Sequence, residues 1–129
     1  KMITLPSGRQ YAFPGVRWTE WGTATNRTAI CNYPVQGFAT ADLLPAALVR
    51  LNKMMKGRKM QSVICNTVHD SIVLDVHPDE KEGCINLLAY AMQSLPEETL
   101  NRYGVEYNMP VGIELKIGKN WLDLEEVEL

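Results

Sequence analysis

The chain has 129 residues, of which 46% are hydrophobic and 22% charged, so its size and composition suit a single globular domain or part of one. It contains neither an apolar run of about 18 residues nor an amino-terminal signal segment, and its three cysteines form no CxxC pair, which together predict a cytoplasmic protein without a membrane span. The net charge of −2 argues against a chain that holds nucleic acid strongly by itself.

A hairpin, a loop and a long helix are predicted first. Residues 3–13 read as two short strands around Pro-Ser-Gly, which is typical of a tight turn. Residues 14–31 show no clear period and are predicted to be a loop with at most a short helical piece. From Gln36 to Met55 apolar residues recur every three or four positions, which predicts a helix buried over much of its surface and kinked at Pro45.

A second hairpin is predicted over residues 62–68 and 71–77, with His69 and Asp70 at its tip. Apolar residues alternate with a mixed set over 72–76, so one face of the second strand is apolar. A carboxylate at such a tip can reach a divalent cation or a ligand. On its own the tip is weak evidence, because Asp also favours turns through hydrogen bonds to nearby backbone.

Two helices and a strand are predicted to follow. A helix over residues 79–95 begins with acidic residues, which its dipole favours, and a shorter one over 96–103 is closed by Gly104. Residues 111–117 alternate between apolar and other residues and are predicted to form a half-buried strand. The acidic tail, residues 123–129, is expected to be frayed or extended. This order predicts an α+β fold, a small antiparallel sheet covered by helices.

A group of hydrogen-bonding residues precedes the long helix. Arg27, Asn32 and Gln36 can all donate hydrogen bonds, and the minor-groove edges of DNA base pairs present mainly acceptors. Such a set suits a protein that checks the shape of a duplex without reading its sequence. A structural alternative is that Asn32 and Gln36 only cap the helix that follows.

Taken together, the two groups resemble family A DNA polymerases. Asn-x-Pro-Val-Gln-Gly leads into an Ala-rich helix, and Val-His-Asp follows about thirty residues later between apolar strands. Ser-Gly-Arg at 7–9 and Gly-Lys-Asn-Trp at 118–121 fit the same pattern, so the resemblance covers essentially the whole chain. It implies that residues 1–129 are one partial domain, the carboxy-terminal part of a polymerase palm, whose motif C is the second hairpin.

The resemblance also implies a role for each residue of the two groups. Asp70 would bind catalytic Mg²⁺, and His69 would lie beside the primer terminus. Gln36 and Asn32 would contact the minor-groove side of the nascent base pair and of the primer–template. Arg27 would approach the template or primer strand.

Two departures from the family pattern affect what the chain can do. Ser71 stands where the family usually has glutamate, a variant compatible with phage-type members. The first palm aspartate, the fingers and the thumb are not in this sequence, and two metal ions about 3.5–4 Å apart need more than one carboxylate. We therefore expect those segments, primer–template DNA and a deoxynucleoside triphosphate as partners, and no activity from the chain alone. Because Lys1 precedes Met2, we also expect an interior piece of a longer protein.

Two other functions stay open at this point. The chain could be a stand-alone, non-catalytic binding or assembly module derived from a polymerase. It could also be an unrelated metal-binding α+β protein, since His69, Asp70, Asp75 and His77 form a pattern that could suggest zinc. The last two, however, would lie roughly 17–20 Å from the hairpin tip at the rise of a strand.

Overall fold

The computed structural model describes residues 1–108 and 110–128. They form short strands, four α-helices, one π-helical segment (the π segment) and one 3-10 turn. In chain order these are β1 (Met2–Thr4), β2 (Gln10–Ala12), α1 (Arg27–Gly37), the π segment (Phe38–Leu43), α2 (Leu44–Gly57), β3 (Val63–Val68), β4 (Ser71–Asp75), the 3-10 turn (Pro78–Glu80), α3 (Lys81–Gln93), α4 (Leu95–Tyr103), β5 (Lys116–Ile117) and β6 (Glu125–Glu126). The predicted α+β class is confirmed.

The strands pair as separate antiparallel hairpins, β1 with β2, β3 with β4 and β5 with β6. The prediction of one small sheet is therefore wrong, and the predicted strand over 111–117 pairs only at Lys116–Ile117 within the described residues. Alternate side chains of this stretch are nevertheless more buried than their neighbours. Val111 packs against the helical core, so the alternation records burial rather than strand pairing. Within the predicted tail Glu125–Glu126 forms β6, and Leu129 lies outside the described residues.

The long helix begins at Arg27, not at Gln36 as predicted, and continues through the π segment to Gly57. None of the side chains of α1 is buried, and its sequence carries no clear apolar stripe. Extending a helix that is already packed is easier than nucleating one. The packed α2 can therefore extend into a segment whose own sequence predicts a loop.

The π segment ends two residues before Pro45, at which the sequence predicts a kink. Proline has no N–H to donate to the carbonyl of Ala41, four residues earlier. Just before it, the backbone N–H of Leu44 donates to the carbonyl of Ala39, five residues earlier, as in a π-helix. The Ala41 carbonyl accepts a hydrogen bond from the Arg9 guanidinium, at 3.3 Å. The helix thus accommodates the proline by widening, with a side chain of the first hairpin as a substitute donor.

The core lies between α2, α3, α4 and the β3–β4 hairpin. One cluster contains the buried side chains Leu51, Met55, Leu87 and Ala91, with Ile64, Ile72 and Leu74 of the hairpin against it. A second contains Leu43, Ala46, Ala47 and Leu95, with Phe38, Ile72, Met92 and Val111 against it. The predicted packing of the long helix and the following helix on this hairpin is confirmed.

A polar network links the three helices at the surface. Arg50 of α2 donates to the Glu98 carboxylate of α4 at 3.1 Å and to the Tyr90 hydroxyl of α3 at 3.0 Å. Arg102 also donates to Glu98, and this hydrogen bond, together with the charges of both arginines, lowers the pKa of that carboxyl.

Across residues 1–108 and 110–128, no helix is long and apolar enough to cross a membrane.

Candidate active site

The tip of the β3–β4 hairpin is a two-residue loop, because Val68 pairs with Ser71. His69 has a φ of 54°, a conformation that histidine tolerates better than most residues and that tight hairpin loops use. The Ser71 hydroxyl donates to the Val68 carbonyl at 2.8 Å and closes the turn. The side chains of His69 and Asp70 are exposed, and neither has a hydrogen-bond partner within the described part of the chain. The Asp70 carboxylate is thus available to an external ligand.

The hairpin contains a β-bulge that the sequence did not reveal. Ile64 pairs with Leu74 and the next pair joins Asn66 to Val73, so Cys65 is an extra residue in β3. An extra residue reverses the alternation of side chains beyond it and increases the local bend and twist of the strand. The bulge therefore helps to determine the direction in which the hairpin tip points.

The base of the hairpin is held by a carboxylate that sequence reasoning missed. Glu80 accepts hydrogen bonds from the backbone N–H groups of Gln61 and Ser62, at 2.9 and 2.8 Å, and from the Ser62 hydroxyl at 2.6 Å. The Ser62 oxygen in turn accepts from the N–H of His77 at 2.9 Å. These bonds, the Ser62 hydroxyl foremost, lower the pKa of Glu80. They tie both ends of the hairpin to the 3-10 turn.

This lowered pKa predicts a pH dependence of stability that Glu80→Gln should remove. Because the folded-state pKa lies below the unfolded one, the carboxylate stabilises the fold above the unfolded pKa of about 4.3, and the effect is lost as the pH falls through the folded pKa. Thermal melts by circular dichroism should show a lower Tm for Glu80→Gln near neutral pH, converging with wild type in acid. Glu82→Gln, at an exposed position on α3, is the control. Parallel curves for Glu80→Gln and wild type at all pH values would contradict this account.

Asn32 and Gln36 lie on one exposed face of α1, four residues apart. Both are inside the helix, whose N-cap is Asn26, so the alternative that they only cap a helix is wrong. Neither side-chain amide has a hydrogen-bond partner among residues 1–108 and 110–128. Arg27 is the first residue of α1, and helical geometry places it about 140° around the axis from Asn32. The predicted trio therefore divides into two amides on one face and an arginine on another.

The packing of the hairpin places its tip at a definite end of the long helix. Among the described residues, Ile64 and Leu74 pack on the cluster around Leu51, whereas Ile72 packs both there and on the cluster of Leu43, Ala46 and Ala47, where the π segment meets α2. Followed backwards from Leu74 to Ile72, β4 thus runs towards the amino terminus of α2, and the hairpin tip lies beyond Ile72. Asp70 is two residues before Ile72, a distance of about 7 Å at the rise of a strand. His69 and Asp70 therefore lie towards the end of α2 at which the π segment and α1 join it.

The described residues do not make a complete metal site. They contain no group of three or more His, Cys, Asp or Glu side chains that could hold an ion. His77, part of the possible zinc pattern, accepts a hydrogen bond from the Asp79 backbone N–H at 3.4 Å instead. Mg²⁺ prefers oxygen ligands and is commonly bound through one or two carboxylates, so Asp70 fits as one ligand. The remaining ligands would have to come from another segment or from substrate.

The sequence matches one protein family over most of its length. The family model described as "DNA polymerase family A" matches residues 1–123. DNA polymerase I of Lactococcus lactis subsp. cremoris is 35% identical over 97 residues, which are 75% of this chain and 10% of that protein. The DNA polymerase of Bacillus phage SP01 is 33% identical over 98 residues, 76% of this chain and 10% of that protein. No solved structure matches.

A more distant relative extends the match along the chain. DNA polymerase I of Chloroflexus aurantiacus is 27% identical over 106 residues, 82% of this chain and again 10% of that protein. The chain thus spans about a tenth of the length of these relatives. The family model covers every described element from β1 to β5. The resemblance that the two sequence groups indicate is confirmed, and the chain belongs to DNA polymerase family A.

Proposed function

We propose that the chain is the carboxy-terminal part of the palm of a DNA-directed DNA polymerase, and that Asp70 is a ligand of its catalytic Mg²⁺. The complete enzyme would transfer nucleotides from deoxynucleoside triphosphates to a primer. It would act in the cytoplasm. The observation that carries the proposal is the exposed Asp70 carboxylate, which has no hydrogen-bond partner in the described residues and stands at the tip of a hairpin packed on α2.

The chemistry requires more than this chain contains. Paired divalent ions stabilise the attacking and leaving oxygens in reactions of this class. Asp70 would supply one carboxylate, and the first palm aspartate would supply the other from a different segment. The fingers and thumb would also come from other segments. The bonds of Glu80 and the core contacts of Ile72 hold the hairpin, so the carboxylate is presented without a large loss of conformational freedom. His69, next to it, would lie beside the primer terminus.

We assign the amide face of α1 to the minor groove of the primer–template. Asn32 and Gln36 are exposed, and their amide groups can donate to the acceptors that base pairs present there. Arg27, on another side of α1, would contact a phosphate of the template or primer strand, since an arginine there cannot share the base edges read by the amides. The net charge of −2 implies that most of the duplex is held by other segments.

Gln36→Ala tests this assignment in the complete polymerase. Loss of a hydrogen bond between uncharged groups typically amounts to about 0.5–1.5 kcal/mol, so the KM for primer–template should rise about 2- to 10-fold with little change in kcat. Steady-state primer extension at saturating nucleotide measures both constants. Cys31→Ala, an exposed position on a different face of α1, should leave them unchanged. An unchanged KM for Gln36→Ala would remove the minor-groove assignment.

A further inference from the structure

The β1–β2 hairpin is attached closely to the junction between α1 and the π segment. The Tyr11 ring of β2 lies against Gly37, the last residue of α1, with its Cζ atom 2.8 Å from the place that a Cβ would occupy. The Tyr11 hydroxyl would overlap such a Cβ directly. Any larger residue at Gly37 would therefore require the Tyr11 side chain to move from this position.

A second attachment is made at Asp42, inside the π segment. The Ser7 hydroxyl donates to Asp42 Oδ2 at 2.7 Å, and Arg9 donates to Oδ1 from Nε and Nη2 at 3.1 and 2.9 Å. The Asp42 side chain is only 7% exposed, although that of Arg9 is 42% exposed. Both carboxylate oxygens are thus occupied by donors from the hairpin turn. Charge-assisted hydrogen bonds of this kind are stronger than those between neutral groups.

The turn that makes these bonds has a shape suited to them. Gly8 has a φ of 85°, which favours glycine, and it separates Ser7 from Arg9 so that both reach the same carboxylate. Arg9 also donates to the Ala41 carbonyl, which Pro45 leaves without its usual helical donor. The hairpin therefore supplies hydrogen bonds at the point where the long helix departs from α-helical geometry.

We propose that Asp42 is a positioning residue for the DNA contacts of α1. Helices bend where the i→i−4 ladder is interrupted, so the π segment sets the direction of α1 relative to α2. Asp42, bonded to Ser7 and Arg9, holds that segment in one shape and thereby directs the face of Asn32 and Gln36. Asp42 acts through Asn32 and Gln36 and does not itself touch DNA. This inference rests on the minor-groove role proposed for them.

The direction of α1 can be measured in the 129-residue chain without DNA. Cys31 is exposed on α1 and Val49 is exposed on α2, so spin labels at Cys31 and at Val49→Cys, with Cys65→Ser, report the distance between the two helices. Asp42→Asn keeps the side-chain size but removes the charge and one acceptor. It should shift or broaden the distance distribution. Glu98→Gln, which removes a carboxylate that binds two arginines elsewhere, should not.

A double-mutant cycle in the complete polymerase tests the functional step. Asp42→Asn should raise the KM for primer–template about 2- to 10-fold, as Gln36→Ala does, and leave kcat within about twofold. In the Gln36→Ala background its further effect should be smaller, because only the contact of Asn32 is left for it to direct. Glu98→Gln should leave the KM unchanged.

The outcomes separate this inference from the proposed function. An unchanged label distance in Asp42→Asn, or effects of Asp42→Asn and Gln36→Ala that multiply fully, would overturn the positioning role and leave the minor-groove assignment standing. A normal KM in Gln36→Ala would overturn the minor-groove assignment and with it the functional step. A shifted distance with a non-additive rise in KM supports both.

Discussion

Asp70→Asn should lower the rate of nucleotide addition by the complete polymerase about 10²–10³-fold or more. Asparagine keeps the size of the side chain but removes the negative charge of this exposed carboxylate, which the proposed Mg²⁺ ligand would supply. Groups that stabilise developing charge in a transition state typically contribute about 3–4 kcal/mol each, which corresponds to that loss of rate. Primer–template affinity should change little, because we propose that most of the duplex is held by other segments. Single-turnover primer extension at saturating nucleotide, with a separate binding titration, measures the two effects.

Ser71→Ala is the matched control at the same tip. The Ser71 hydroxyl already donates to the Val68 carbonyl, and a serine hydroxyl is a poor ligand beside a carboxylate. We expect its effect on turnover to be mild. Near-normal turnover in Asp70→Asn together with a collapse in Ser71→Ala would show that the tip is structural and that the metal assignment is wrong.

Leu51→Ala should destabilise the chain by about 2–5 kcal/mol. Leu51 is fully buried on α2 and lies in the cluster against which Ile64 and Leu74 of the hairpin pack. Removing its side chain leaves a cavity between the long helix and the hairpin that presents Asp70. Urea unfolding followed by circular dichroism measures the change in the free energy of unfolding.

Val49→Ala provides the comparison on the same helix. Val49 is 46% exposed, so truncating it should change the free energy of unfolding by no more than about 0.5 kcal/mol. Equal losses at the two positions would mean that α2 does not pack on the hairpin as described.

The second hairpin could be predicted because its signals are local. Alternation in β4 and the two polar residues at its tip specify strand, loop and exposed Asp70 within a short stretch. The two helices that follow were predicted to within two residues of the bounds of α3 and α4, since Pro78, Pro96 and Gly104 mark helix ends through their own backbone limits. The apolar face of α2 follows from its period.

Other features depend on contacts between distant residues and leave no local signal. The helical state of α1 comes from continuity with α2, and the π segment from Pro45 combined with the donor Arg9, which lies in another element. The bulge at Cys65 appears only in the register with β4. The bonds of Glu80 and Asp42 join polar side chains to distant turns, and polar contacts have no sequence period. Likewise, the position of Arg27 on a separate face could not be predicted without knowing that α1 begins at Arg27.

A structure of the complete polymerase with primer–template, an unreactive deoxynucleoside triphosphate and Mg²⁺ would show directly whether Asp70 binds the metal. We expect an Asp70 carboxylate oxygen about 2.0–2.1 Å from an ion that also binds a carboxylate from another segment. Ions fully coordinated by other groups, with the Asp70 carboxylate outside coordination distance, would contradict it.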